Sequence, residues 1–319
     1  MTEFAYYLVG PTAVGKSAIS HRIARDEGLC IVSADSMQVY RGMDIGTAKA
    51  TMAERSEVPY YCVDLVDPWE TFSVGHYCGA AATAGETIED EGSSAIVVGG
   101  TGLYVKALTE GLSCLPRSDK DLEEKWQAML EDEGAGALFA RLSRMSRAWA
   151  EGLDDKNNGR RLIRALCLVE QGVLSPPESW LRRKAVKKAS CVVGLQMASE
   201  LLCERIEFRV HEMYRMGLVD EVSALLDKGR ELSKTSAQAI GYAEVIDLLA
   251  GRSDMAGSIE RTIVRTRQLA KRQRTWFRHQ IRVNWVEVTR DSSEDEIVSS
   301  VIRIWEEHRS ACGEEANDE

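Results

Sequence analysis

The eight residues Gly10–Ser17, GPTAVGKS, constrain this chain more than any other stretch. They fit the phosphate-loop pattern G-x-x-x-x-G-K-[ST], and each position has a physical task. Gly10 and Gly15 let the backbone N–H groups of Gly10, Pro11, Thr12, Ala13, Val14 and Gly15 (proline excepted) curl around phosphate oxygens, and the following helix adds its positive end. Lys16 supplies a point charge, and the Ser17 hydroxyl can ligate Mg²⁺. The context is the one such a loop needs. Phe4–Gly10 is short, apolar and aromatic, as a buried strand is, and Ser17–Glu27 reads as a helix. The motif says that phosphate is bound and is silent on what carries it.

Runs rich in β-branched residues recur at Leu29–Ala34, Ala95–Val98 and Cys191–Leu195, alternating with helical stretches. That alternation predicts an α/β fold: a P-loop NTPase-like parallel sheet with helices on both faces. Residues 116–186 lack strand-like runs, are rich in Glu, Ala, Leu, Arg and Trp, and are bounded by Leu115-Pro116 and Pro176-Pro177. They read as a helical insertion, leaving 1–115 and 187–309 as a discontinuous catalytic core. Beyond 199 the core is mostly helical with a possible strand at Val283–Val288, and the acidic residues 310–319 read as a disordered tail. Trp126, Trp149 and Trp180 are expected in the core of the insertion. His76, His211 and His279 show no metal-ligand spacing.

Two more loops follow predicted strands. In open parallel sheets ligands sit at the carboxyl ends of the strands, so both should face the phosphate loop. In Ser33–Tyr40, Asp35 can bind Mg²⁺, act as a general base, or merely cap the next segment. In Gly99–Tyr104, GGTGLY, three glycines allow close backbone approach to a ligand or form a tight strand–helix turn. No apolar run is long enough to cross a bilayer, no signal peptide is evident, and eight cysteines stand without a C-x-x-C pair. A cytoplasmic protein with reduced thiols, no membrane contact and a monomeric state is expected. A formal net charge of −10 argues against indiscriminate polyanion binding. Yet Arg261–Arg282 holds eight Lys or Arg and no acid, and Ile263, Ala270 and Phe277 recur at sevens: a helix with one buried stripe and a basic surface suited to phosphate backbones.

The three loops together resemble the tRNA dimethylallyltransferase (isopentenyl-tRNA transferase) family, bacterial type. The resemblance continues through Asp35–Lys49 (DSMQVYRGMDIGTAK), VDLVDPWETFSVGHY ending at Tyr77, Arg160–Leu166 (RRLIRAL), Arg205–Val222, Gln238–Tyr242 (QAIGY) and Lys271–Arg278 (KRQRTWFR), covering about residues 6–290. Ala50, Ala243 and Pro59-Tyr60-Tyr61 depart from the family's usual residues, in positions to which no chemistry is assigned.

The resemblance implies transfer of a dimethylallyl group from its diphosphate to N6 of adenine 37 beside the anticodon. It assigns Asp35 as general base, Thr101 as a hydrogen-bonding group near the transferring carbon, Arg209 as a diphosphate ligand, and Mg²⁺ on Ser17. For the anticodon stem-loop of tRNA it implies contacts from Asp35, Ser36, Met37 and Gln38 and from Arg160, Arg161 and Arg164, with Lys271 and Arg274 on the basic helix. The alternatives are an ATP-dependent small-molecule kinase, a non-catalytic nucleotide switch, and prenylation of free adenine nucleotide. RRLIRAL and KRQRTWFR have no task in the first, a switch needs no carboxylate and glycine loop converging on the phosphate site, and the insertion and basic helix favour tRNA over a free nucleotide. The aspartate-rich motif of terpene-type prenyltransferases is absent: Asp154-Asp155 is followed by Lys156-Asn157-Asn158.

Overall fold

The computed structural model describes residues 6–111, 119–153, 155–173, 175–176 and 191–317, with side chains as far as 311. Trp180 lies outside the described residues. Two compact units emerge, Met1–Glu110 with Val186–Glu319, and Gly111–Ala185.

In the first unit six parallel strands, β1 (Tyr6–Val9), β2 (Cys30–Ser33), β3 (Tyr60–Tyr61), β4 (Ala95–Gly99), β5 (Cys191–Gln196) and β6 (Asn284–Glu287), lie in the order β3-β2-β4-β1-β5-β6. The helices before the second unit are α1 (Lys16–Glu27), α2 (Met52–Glu57), α3 (Val74–Asp90) and α4 (Gly102–Glu110).

Side chains of a strand alternate between faces, and here both faces are apolar. Leu8, Ile31, Ile96 and Val193 join one core with Ile19 and Ile23 of α1. Their neighbours Tyr7, Val32, Val97 and Val192 join a second core with Tyr77 and Ala81 of α3 and Val105 of α4. A sheet covered on both faces explains why its strands read as unbroken apolar runs.

The second unit is helical: α5 (Lys120–Met145), α6 (Arg147–Glu151) and α7 (Gly159–Glu170). Helix α5 breaks at Gly134, which has φ 81°. Trp126 and Trp149 are buried in its core, and the Trp149 indole donates to the Val173 carbonyl at 2.7 Å.

The chain then returns to the first unit with α8 (Ser199–Arg215), α9 (Leu218–Leu226), α10 (Lys234–Ala237), α11 (Tyr242–Leu249), α12 (Met255–Gln280) and α13 (Glu294–Asn317). The sevens stripe of α12 is buried as its spacing predicts. Ile263 and Ala270 pack in the first sheet core and Phe277 in the second, so this helix passes from one face of the sheet to the other. The segment from 310, expected as a disordered tail, instead continues α13 to Asn317. Val301 and Trp305 earlier in that helix pack in the first core, and this anchorage carries the acidic end along. The six described cysteines are free.

Candidate active site

Strand order assembles the site. Because β4 lies between β1 and β2, the three loops leaving their carboxyl ends are neighbours: Gly10–Gly15, Gly99–Thr101 and Ala34–Gln38. The phosphate loop has the expected shape. Gly10 (φ 143°) and Gly15 (φ 109°) occupy the positive-φ region, and a Cβ on Gly10 would stand 2.5 Å from the Leu195 carbonyl oxygen of β5.

Lys16, Ser17, Asp35, Gln38, Arg209 and Gln273 line one cavity of about 490 Å³. A second, of about 540 Å³, shares Lys16, Ser17 and Arg209 and is otherwise lined largely by apolar groups, among them Ile45, Phe208 and Met216. The Lys16 ammonium donates to the Pro11 carbonyl at 2.7 Å. The residue is half-exposed along its length while its ammonium end is enclosed. Burial pushes that amine down to about 7, Asp35 opposes the shift, and Arg209 adds to it. Burial likewise depresses the Arg209 guanidinium, with Asp35 opposing. Arg209 donates to the Thr12 hydroxyl at 3.3 Å. Near the phosphate loop Lys16 and Arg209 meet one carboxylate, Asp35, a local surplus of positive charge that suits a diphosphate. Lys49 and Arg55 on the same lining pair with Asp44 and Asp64.

Asp35 accepts the Met37 N–H at 2.8 Å through Oδ1, a local turn of the kind the capping alternative implies. Its Oδ2 has no hydrogen-bond partner among the described residues, and neither has the exposed hydroxyl of Ser17. The free hydroxyl suits Mg²⁺, which keeps several waters and takes few protein ligands, and the free carboxylate oxygen on the same cavity is open to a proton. Ser17 is the residue that would hold Mg²⁺.

Two expected ligand contacts, Thr101 and Gln38, are tied to other protein groups, although Gln38 also lines the cavity. The Thr101 hydroxyl accepts the Ser36 N–H at 3.0 Å and donates to the Ser36 hydroxyl at 3.3 Å, and Thr101 lines neither cavity. Gln38 accepts from the Ser33 hydroxyl at 2.8 Å and donates to the Thr47 carbonyl at 3.2 Å. The glycines of the third loop answer packing demands. A Cβ on Gly99 would stand 2.1 Å from the Ala34 carbonyl oxygen, one on Gly100 2.3 Å from the Gln273 amide nitrogen, and one on Gly102 2.1 Å from the Trp276 ring. Ser36 and Met37 stand half-buried beside Asp35.

The DIGTAK stretch forms a braced scaffold. Lys49, its side chain wholly buried, donates to the Tyr40 carbonyl (2.7 Å), Asp44 (2.6 Å) and Asp64 (2.8 Å), while Arg55 also holds Asp64 at 2.6 Å. Burial works to raise the Asp64 carboxyl, but the hydrogen bonds from Lys49 and Arg55 outweigh it and hold it low. Glu221 of α9 accepts the Asp44 and Ile45 N–H groups at 3.1 and 2.8 Å and the Tyr242 hydroxyl at 2.5 Å. The QAIGY segment thereby buttresses the loop that carries Asp35. Lys49→Met should cost about 2–3 kcal/mol of stability, the outlay for leaving Asp64 under-partnered, with the exposed Asp44 discounted for solvent screening. Urea unfolding measures it, and a loss under about 0.5 kcal/mol, the scale of a neutral surface change, would contradict the clamp.

The basic helix α12 is more divided than its sequence. Arg261 pairs with Asp247 (3.1 Å), Arg265 with Glu244, and Arg267 with Glu207 (2.8 Å), acids that lie on other helices. Lys271, Arg272 and Arg282 are exposed and form no ion pair among the described residues. Arg274 and Arg278 donate only to neutral groups, the Ser199 hydroxyl and the Gln196 amide. The basic surface is therefore the carboxyl-terminal half. In the second unit Arg160 and Arg161 stand exposed in the first turn of α7, where the helix end already attracts anions, and Arg164 is half-buried with burial lowering its guanidinium.

Among the described residues no group of three His, Cys, Asp or Glu side chains forms a metal cluster, and no helix is long and apolar enough to cross a membrane.

Residues 38–280 match the IPP transferase family, and residues 4–59 match isopentenyl transferase. The tRNA dimethylallyltransferase of Mycolicibacterium smegmatis is 38% identical over 93% of this chain and 97% of its own length. That of Syntrophomonas wolfei is 38% identical over 94% and 96%. Among solved structures, the tRNA isopentenylpyrophosphate transferase of Bacillus halodurans superposes with TM-score 0.69 at 36% identity, covering 97% of this chain and 99% of that one. A eukaryotic dimethylallyltransferase acting on tRNA gives TM-score 0.77 at 26% identity, over 93% and 77%.

Proposed function

This chain belongs to the IPP transferase family and is a tRNA prenyltransferase, and we propose that it moves a dimethylallyl group from dimethylallyl diphosphate to N6 of adenine 37 in the tRNA anticodon loop. The observation that carries the residue-level reading is the single cavity onto which Lys16, Ser17, Asp35 and Arg209 converge from the phosphate loop, the second loop and α8.

The diphosphate sits on the phosphate loop, its oxygens met by Lys16 and Arg209 and by the positive end of α1. Mg²⁺ held by Ser17 would neutralise further charge on the leaving group. As N6 bonds to the first carbon of the dimethylallyl group, the carbon–oxygen bond breaks and its electron pair leaves with the diphosphate. The same cations that bind the ground state hold the charge that develops. The proton lost from N6 passes to the free Oδ2 of Asp35. Thr101 keeps Ser36 in place beside that carboxylate, and Ser36, Met37 and Gln38 shape the pocket into which an unstacked adenine fits.

For the rest of the tRNA, Arg160, Arg161 and Arg164 and the free half of α12, with Lys271 and Arg274, are assigned to phosphates. The reading has one chain act alone on tRNA in the cytoplasm.

Incubation with dimethylallyl diphosphate and a tRNA bearing unmodified adenine at position 37, followed by nucleoside digestion and mass analysis, tests the reaction. N6-isopentenyladenosine is expected; a phosphorylated product made from ATP instead would favour the kinase alternative. Binding should also fall steeply with salt, at a log–log slope of about −0.7 to −0.9 per phosphate neutralised. Lys271→Ala with Arg274→Ala should flatten that slope by about one to two units and weaken different tRNAs alike. An unchanged slope in the double variant would make this half of α12 an ordinary solvated face.

A further inference from the structure

Gln273 lies within the basic half of α12 yet faces the opposite way from its neighbours. Lys271 and Arg272 are exposed, whereas positions 273, 276 and 277 form an inward stripe at helical spacing. Phe277 is buried in the sheet core, and the Trp276 ring fills the space a side chain on Gly102 would need.

The Gln273 amide is used at both ends. Its Oε1 accepts the Thr12 N–H at 2.8 Å, and its Nε2 donates to the Gly100 carbonyl at 3.1 Å. The two partners fix which end of the amide is which, since an N–H must meet an oxygen and a carbonyl a donor. One side chain thus ties the phosphate loop to the third loop.

The Thr12 N–H belongs to the same peptide unit as the Pro11 carbonyl, and that carbonyl accepts the Lys16 ammonium at 2.7 Å. A trans peptide is planar with its N–H and C=O pointing opposite ways, so anchoring one end aims the other. Gln273 at one edge of that peptide therefore aims the carbonyl that holds Lys16 at the other. The adjacent Thr12 hydroxyl is the partner of Arg209, so the second cation of the site leans on the same residue.

We propose that Gln273 is a positioning residue for the donor half of the reaction, acting through the Pro11–Thr12 peptide to hold Lys16 where the diphosphate needs it. This rests on the reading of Gly10–Ser17 as the diphosphate site. The assignment separates Gln273 from the tRNA-contacting residues on either side of it in sequence. It also gives Gly100 a reason to be glycine, because a Cβ there would displace the Gln273 amide.

The experiment measures inorganic pyrophosphate affinity, with Mg²⁺ present, and affinity for an unmodified anticodon stem-loop, using full-length wild type, Gln273→Met, Lys16→Ala and the double variant. Gln273→Met keeps the size of the side chain and removes both hydrogen bonds. It should weaken pyrophosphate about tenfold, as lost polar partners do, and leave stem-loop affinity within about twofold. Because it acts through Lys16, adding it to Lys16→Ala should change pyrophosphate affinity by less than about twofold, a non-additivity general loosening of the fold would not produce. Wild-type pyrophosphate affinity in Gln273→Met, fully multiplying effects, or a loss confined to the stem-loop would each overturn the proposal. If Lys16→Ala itself binds pyrophosphate like wild type, the phosphate-site reading fails, a result distinct from the others. Should Gln273→Met not fold, Gln273→Asn takes its place in the same titrations. It is one methylene too short to span both loops, so the same losses are expected and the same results would overturn the proposal.

Discussion

Asp35→Asn should slow single-turnover transfer by about 10²-fold or more at saturating donor and tRNA, the usual scale for removing a general base. The substitution is clean for a structural reason. Oδ1 of Asp35 holds the Met37 N–H, and an asparagine carbonyl oxygen accepts that bond equally well, so the loop keeps its turn. What disappears is the basicity of the other oxygen. Donor binding should hold or tighten slightly, because Lys16 and Arg209 lose a competing anion while the diphosphate does not. Rapid-quench measurement of prenylated tRNA, alongside titrations of each substrate, separates the outcomes. Transfer at the wild-type rate under saturation would remove Asp35 from proton transfer. A weaker dependence on Mg²⁺ with otherwise intact chemistry would make it a metal ligand alone.

The phosphate loop is readable in the sequence because its spacing is local: Gly10, Gly15, Lys16 and Ser17 act within one strand–loop–helix. The sheet is readable in kind, since strands buried on both faces leave no alternation. Its order is not. That β4 lies between β1 and β2 depends on which apolar faces pack together, and only this order makes Asp35 and the third loop neighbours of Lys16.

Long-range partners are equally hidden. Nothing near Arg265 or Arg267 in sequence announces Glu244 or Glu207, so a run without acids reads as wholly basic although its amino-terminal half is neutralised in space. Gly99, Gly100 and Gly102 read as a ligand-facing loop or a tight turn; Gly99 and Gly100 do line the cavity, but the sequence does not show that Ala34, Gln273 and Trp276 occupy the room the missing side chains leave. Gln273 itself carries no local signal: its task exists only where α12 crosses the carboxyl ends of the strands. The helical end of α13 is hidden for a similar reason. Its acidity suggests disorder, while the anchoring of Val301 and Trp305 upstream depends on packing that the local composition does not reveal.

Lys16→Ala should weaken use of the diphosphate donor by about 10²-fold or more near neutral pH, the scale for deleting one preorganised charge at a developing anion. Stem-loop affinity measured without donor should stay as it is, because this side chain is turned to the Pro11 carbonyl inside the phosphate loop. The pH dependence gives the sharper test. Burial, aided by Arg209 and opposed by Asp35, sets the free Lys16 amine at about 7, so above that pH an increasing share of the empty enzyme lacks the charge the diphosphate needs. An arriving polyanion favours the protonated amine, so binding takes up a proton. The advantage of wild type over Lys16→Ala is therefore full below that pH and should shrink by up to about tenfold per unit above it. Taking the ratio of the two proteins cancels the ionisation of the diphosphate itself. Pyrophosphate titrations of both at a series of pH values from slightly acid to moderately alkaline supply the ratio. A constant ratio across that range would mean that Lys16 stays fully charged in the empty site, and that enclosure costs its ammonium far less than its burial implies.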